Sequence, residues 1–267
     1  MPGRGKRLSL SAHLSMWGQQ IERGLQELAL LDVKGGEITS EVFLGYEGRL
    51  SEWEALMKRY DVRVHAVNAT GHFYNWPQKR RFLFHHDRLA HLMDLAGIRT
   101  VVLTPGLHRK KYDQSNVDFD RMCEFIHSIV DRYRSRGIRV SLHPHRASTF
   151  FNRSEIDRLM AAVPSYVEIT PDIGHCSEAG VDVIRLMSDY AGRVTGMHLK
   201  NYHVHPDTGV YSFSSPISGD YDFGPLLRLL ARKHFTGPLT IELENSNRDI
   251  GILRKNVAFL RAVAASV

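Results

Sequence analysis

The chain has 267 residues, 43% hydrophobic and 24% charged, which is too apolar for a disordered segment and long enough for one large domain. Its 35 basic and 29 acidic residues leave a net charge of +6, which permits anionic partners without selecting one; part of it lies in Arg4, Lys6 and Arg7, in a basic N-terminal segment over residues 1–7. No apolar run reaches the ~18 residues of a membrane span, no secretory leader pattern opens the chain, and two cysteines cannot make a disulfide framework, so a cytoplasmic location is expected.

Short apolar runs rich in Val, Ile, Leu and Thr recur along the chain: Leu8–Ala12, Gly36–Thr39, Val62–Val67, Thr100–Thr104, Arg139–His143, Val167–Asp172, Val194–Leu199 and Pro238–Leu243. Several follow a glycine, as where a helix ends and a strand begins. Between them lie amphipathic stretches. Leu89, Leu92, Met93 and Ala96 share a helical face, and Met122, Phe125, Ile126, Ile129, Val130 and Tyr133 repeat the spacing. Leu226–Ala231 and Ile252–Val263 do the same, while 202–222 reads as a long loop. Eight strands alternating with helices predict a single (β/α)8 barrel over residues 1–267. A doubly wound open sheet is disfavoured because no Gly-x-Gly-x-x-Gly turn follows the first strand.

A barrel of this kind carries its chemistry where strands end. The fifth strand ends Leu142-His143-Pro144-His145, the sixth Thr170-Pro171-Asp172-Ile173-Gly174-His175, the seventh Met197-His198-Leu199-Lys200-Asn201, and the eighth Ile241-Glu242-Leu243-Glu244. Consecutive strands thus deliver His143, Asp172, His198 and Glu242 to one rim. Two imidazoles and two carboxylates suit one divalent ion, Mn, Zn, Co or Fe(II), with positions left open for substrate. His13, at the end of the first strand, and His65, with Asn68 and His72 around the third, are expected to line the pocket rim. Trp17, Phe73, Tyr74 and Trp76 offer an apolar wall, with core packing as the default reading.

The ordered motifs Asp172-Ile173-Gly174-His175, His198-Leu199-Lys200-Asn201 and Ile241-Glu242-Leu243-Glu244 resemble the xylose isomerase-like TIM barrels. That group holds sugar and sugar-phosphate isomerases and epimerases, inosose dehydratases and endonuclease IV. The resemblance implies one divalent metal held by Asp172, His198, Glu242 and a fifth-strand residue. The epimerase branch usually has a glutamate at that last position, whereas His143 stands there in this chain, and the inosose dehydratases are similar in having a His-x-His.

The expected activity is that of a metal-dependent sugar, sugar-phosphate or polyol-ketone isomerase or epimerase, working by proton abstraction beside a chelated carbonyl. The alternatives are an inosose dehydratase-like lyase, an endonuclease IV-like nuclease and a sugar-binding barrel without catalysis. Glu242 is the first candidate for the base, as the resemblance allows that ligand to double in the role, and His145 is the second. His175 is expected to orient Asp172 or contact a substrate hydroxyl. Lys200 is expected to neutralise a developing oxyanion or bind a hydroxyl. The nuclease reading is disfavoured, and nucleic acid with it, because Leu103-Thr104-Pro105-Gly106 carries no histidine where that enzyme needs one. A homo-oligomer is a family-level expectation.

Overall fold

The computed structural model describes residues 9–70, 78–105, 116–146, 148–243 and 249–266. The strands are β1 Leu10–His13, β2 Gly35–Thr39, β3 Arg63–Thr70, β4 Thr100–Thr104, β5 Arg139–Leu142, β6 Glu168–Ile169, β7 Met197–Leu199, β8 Asn201–Val204, β9 Tyr211–Ser214 and β10 Leu239–Ile241. The helices are α1 Ile21–Leu30, α2 Ser40–Leu44, α3 Leu50–Tyr60, α4 Lys79–Leu95, α5 Asn116–Arg134, α6 Arg153–Ala162, α7 Ile173–Glu178, α8 Val183–Asp189, α9 Phe223–Arg232 and α10 Ile250–Ala265.

Local chemistry explains several of these boundaries. In α9 the buried residues Phe223, Leu226, Leu227 and Leu230 recur at helical spacing, and the Asp222 carboxylate accepts the Gly224 N–H at 2.8 Å to start the helix. Asn152 and Glu155 form a reciprocal capping box at the start of α6. Asp61, at φ 50°, ends α3 in the left-handed conformation and turns the chain into β3.

Eight parallel strands run in the order β6-β5-β4-β3-β2-β1-β10-β7. Parallel bridges Ile169–Val194 and Asp172–His198 join β6 to β7 and close the ring, so the fold is a (β/α)8 barrel. Between β2 and β3 the register advances from Gly36–Val64 to Glu37–Ala66, which leaves His65 as the extra residue of a bulge. The core fills the space between sheet and helices with residues such as Leu89, Met93, Ile126, Ile129, Leu226 and Leu230.

All eight expected barrel strands are present, and the eighth is β10 because β8 and β9 intervene. Those two form an antiparallel hairpin inside the segment expected to be a loop. Asn201 holds its base: its side-chain amide donates to the carbonyls of Pro216 and Tyr221 and accepts from the N–H groups of Tyr202 and Tyr221. Trp17 packs in the core, with Nε1 donating to Glu27 Oε2 at 2.8 Å. His72, Phe73, Tyr74, Trp76 and Glu244, like the basic segment 1–7, lie outside the described residues. No described helix is long and apolar enough to cross a membrane.

Candidate functional site

Four strand ends bring the site together. His143 follows β5, Asp172 follows β6, His198 lies within β7 and Glu242 follows β10. Asp172 is fully buried and caps α7, its Oδ1 accepting the His175 N–H at 2.8 Å. Its Oδ2 is buried with no hydrogen-bond partner. The neighbours of that oxygen are Lys200 Nζ at 3.5 Å and His198 Nδ1 at 3.9 Å.

His198 lies between carboxylates. Nδ1 meets Glu242 Oε2 at 2.9 Å and Nε2 meets Glu37 Oε1 at 3.0 Å. Burial opposes its protonation, but Glu37 and Glu242 outweigh burial and hold the imidazole pKa well above the ordinary histidine value. Glu37 shows the converse. Burial pushes its carboxyl up, yet the charge and hydrogen bond of His198, helped by His13 and His65, bring it down to about 2. Asn68 also donates to Glu37 Oε1, at 3.3 Å.

Lys200, 1% exposed, reaches Glu242 Oε1 at 3.3 Å and His175 Nε2 at 3.5 Å besides Asp172. Burial raises the Glu242 carboxyl, but Lys200 and His198 hold it well below the carboxylate range. Asp172 stands above its ordinary value, chiefly because burial outweighs Lys200. The room for Lys200 comes from Gly174, where a Cβ would stand 3.2 Å from the lysine Cγ and Cδ and from Phe213 Cδ1.

Imidazoles form a second wall. His143 lies 4.6 Å from His198 and 5.8 Å from His175 between ring centroids, and His145 lies 4.1 Å from His175. His143 Nδ1–H donates to the Thr170 carbonyl at 3.2 Å and His145 Nδ1–H to that of Arg146 at 2.7 Å, which leaves Nε2 of each ring outside these bonds. Burial holds His143 and His175 well below the ordinary histidine value, hence neutral at pH 7. Phe213, on β9, covers this wall with its ring 4.9 Å from that of His175 and 5.0 Å from Lys200 Nζ.

The residues present fit a metal ion. Ligand atoms of Asp172, His198 and Glu242 lie within 4.8 Å of one another, as do those of His143, Asp172 and His175. Asp172, whose buried Oδ2 has no hydrogen-bond partner, is common to both groups. A ligating His198 would use Nδ1, with its Nε2–H fixed on Glu37 in the usual carboxylate–histidine–metal manner. The charges agree with one divalent ion: together with Lys200 it balances Glu37, Asp172 and Glu242.

Among the residues expected at the rim, His13 is buried 3.7 Å from Glu37 and donates or accepts at Ser15 Oγ, 2.6 Å away. His65 faces the barrel interior and bonds Ser11 Oγ at 2.8 Å, apart from the ligand cluster. His203 and His205 are exposed on the hairpin. Sequence reading missed Glu37 and Phe213. The first lay in the faintest strand and the second in an assumed loop. Alternation within Gly35–Thr39 would have flagged Glu37 as an acid in an otherwise apolar and small-residue strand.

A profile described as xylose isomerase-like TIM barrel matches residues 25–263. The chain is 21% identical over 251 residues to an inosose dehydratase of Clostridium perfringens, covering 84% of this chain and 82% of that one. Among solved structures it resembles 3-keto-D-glucoside 4-epimerase from E. coli (TM-score 0.77, 15% identity, 96% of this chain and 100% of that one). It also resembles a xylose isomerase-like TIM barrel protein of Mycobacterium smegmatis in complex with magnesium (TM-score 0.76, 15% identity, 96% of each chain).

Proposed function

The chain belongs to the xylose isomerase-like TIM barrel family, and from that premise we propose that it is a metal-dependent lyase that dehydrates a polyol ketone of the inosose type. The observation that carries this reading is the wall of imidazoles, His143, His145 and His175, beside the Asp172–His198–Glu242 cluster. The relationship to an inosose dehydratase supports it. Asp172, His198 and Glu242, with His143 beside them, would hold one divalent ion, which when bound supplies Lewis-acid polarisation of a substrate carbonyl.

His145 serves as the base. Its Nδ1–H is fixed on a backbone carbonyl, so Nε2 takes the proton from the carbon next to the ketone. Glu242, the first candidate from sequence, is held well below the carboxylate range in a pairing with Lys200 and His198, which makes it a ligand and a poor base. The electron pair released by the C–H bond forms the C=C bond as the neighbouring C–O bond breaks. The departing hydroxyl takes the proton back from the His145 imidazolium and leaves as water. One imidazole performs both transfers when the two bonds lie on the same ring face. Lys200 stabilises the negative charge on the substrate oxygen. His175, between Lys200 and His145, orients a substrate hydroxyl.

An isomerase or epimerase is the second reading, favoured by the Glu242 carboxylate, 18% exposed, across the cluster from the imidazoles. The test is to incubate Mn-loaded protein with inosose and with ketohexoses in deuterated water. Appearance of an ultraviolet-absorbing enone from inosose supports the lyase. Deuterium exchange without enone supports the second reading, and neither outcome with any of these substrates removes both.

A further inference from the structure

We propose that the mouth of the barrel opposite the ligand cluster is a binding site for a small tetrahedral oxyanion of the phosphate type. A cavity of about 230 Å³ opens there, lined where strands begin: Arg63 is the first residue of β3, Arg99 immediately precedes β4, and Arg139 is the first residue of β5. The Arg139 N–H bonds the Arg99 carbonyl at 2.9 Å, so these strand starts are neighbours, with Arg63 across β4. Thr100 and Thr195 lie in the same wall, where the Thr100 hydroxyl accepts from Arg139 at 3.0 Å and the Thr195 hydroxyl donates to Glu168.

The lining is unbalanced in charge. Against its three guanidinium groups it contains one carboxylate, Glu37, which lies at the deep end and is committed to His198. Arg63 is exposed, and its guanidinium has no hydrogen bond or carboxylate partner among the described residues, the backbone N–H alone donating to the Lys34 carbonyl at 2.8 Å. Arg99 and Arg139 pair with Asp94 and Glu168, which stand outside the cavity wall. Solvent-exposed guanidinium groups in such pairs contribute little to stability and can turn to a stronger acceptor. Three guanidinium groups on adjacent strand starts offer more donors than the two oxygens of a carboxylate accept, and match the larger set of acceptor oxygens on a tetrahedral oxyanion.

The experiment is a calorimetric titration of sodium phosphate into the metal-free full chain at constant ionic strength, with sodium chloride as the control anion. The expected result is saturable binding of one phosphate per chain. Arg63→Gln, which leaves no carboxylate unpaired, weakens it at least tenfold. Arg63→Gln with Arg139→Gln removes it. Arg146→Gln, at the opposite mouth, leaves it unchanged. Glycerol phosphate separates the sources: binding tighter than that of inorganic phosphate assigns the site to a phosphorylated metabolite, and equal or weaker binding assigns it to the free ion. No saturable binding beyond the chloride control, unchanged affinity in Arg63→Gln, or loss in Arg146→Gln overturns the proposal.

Discussion

Glu37 and His198 meet inside the barrel, 161 positions apart in sequence, with Oε1 3.0 Å from Nε2. That contact aims the opposite nitrogen of the ring at Asp172 and Glu242. A ring held this way cannot flip without breaking a buried, charge-assisted hydrogen bond. Glu37→Gln is therefore expected to weaken Mn affinity about 10- to 100-fold, measured by competition with a chelating dye. Affinity within twofold of the unsubstituted protein would show that Glu37 does not orient the ligand.

The second expectation separates base from ligand. His145→Ala should lower kcat for enone formation about 10²–10⁴-fold and leave Mn affinity nearly unchanged. Asp172→Asn, which alters the carboxylate shared by both candidate ligand groups, should lose both together. Parallel dye competition and ultraviolet assays on the two variants make the comparison.

Gly174 gives a steric test. A methyl group there presses on Lys200 and Phe213 at 3.2 Å, and over-packing of this kind costs about 1–3 kcal/mol. Gly174→Ala should stay folded by circular dichroism while kcat falls about tenfold or more, because a lysine displaced from Glu242 no longer meets the substrate oxygen.

Acid stability should register the buried His86. Its Nδ1 bonds the Tyr133 hydroxyl at 2.8 Å, its Nε2 has no partner, and burial lowers its pKa to about 3. The folded chain keeps this ring neutral, whereas the unfolded chain protonates it near pH 6.5. Its contribution is complete above that pH and is lost as pH falls from about 6.5 toward 3, at up to about 1.4 kcal/mol per pH unit. Urea unfolding between pH 7 and pH 5 should show this slope. His86→Leu should flatten the slope by up to that amount, and at pH 7 should lose about 1–3 kcal/mol from the unpaired Tyr133 hydroxyl. An unchanged slope would exclude His86 as a source.

The sequence exposed whatever is written locally. Runs such as Thr100–Thr104 coincide with β4, because β-branched residues between a glycine-containing helix end and a proline leave little choice. Asp172, His198 and Glu242 were legible because a barrel obliges its strand ends to share a rim. Glu37 was not, since its partner is fixed by a bulge and by ring closure. The hairpin was missed for a related reason: Asn201, Tyr202, Phe213 and Ser214 pair only with one another, outside the main sheet, and a turn of six residues between them leaves no tight-turn signature. His65 shows the same limit. Its place in the third apolar run suggested the rim, and one extra residue in β3 turns it toward the opposite mouth.

The seam between β6 and β7 has a consequence for how the protein breathes. Two- and three-residue strands meet there through isolated bridges, one of which joins Asp172 to His198. The barrel is therefore zipped shut at its thinnest stitch by the backbone of two residues of the proposed metal site. Anything that draws their side chains together holds the zip closed, and any opening of the zip pulls the site apart. Amide exchange at Ile169 and His198 should thus slow as the site fills, making the rhythm of the seam a gauge of occupancy.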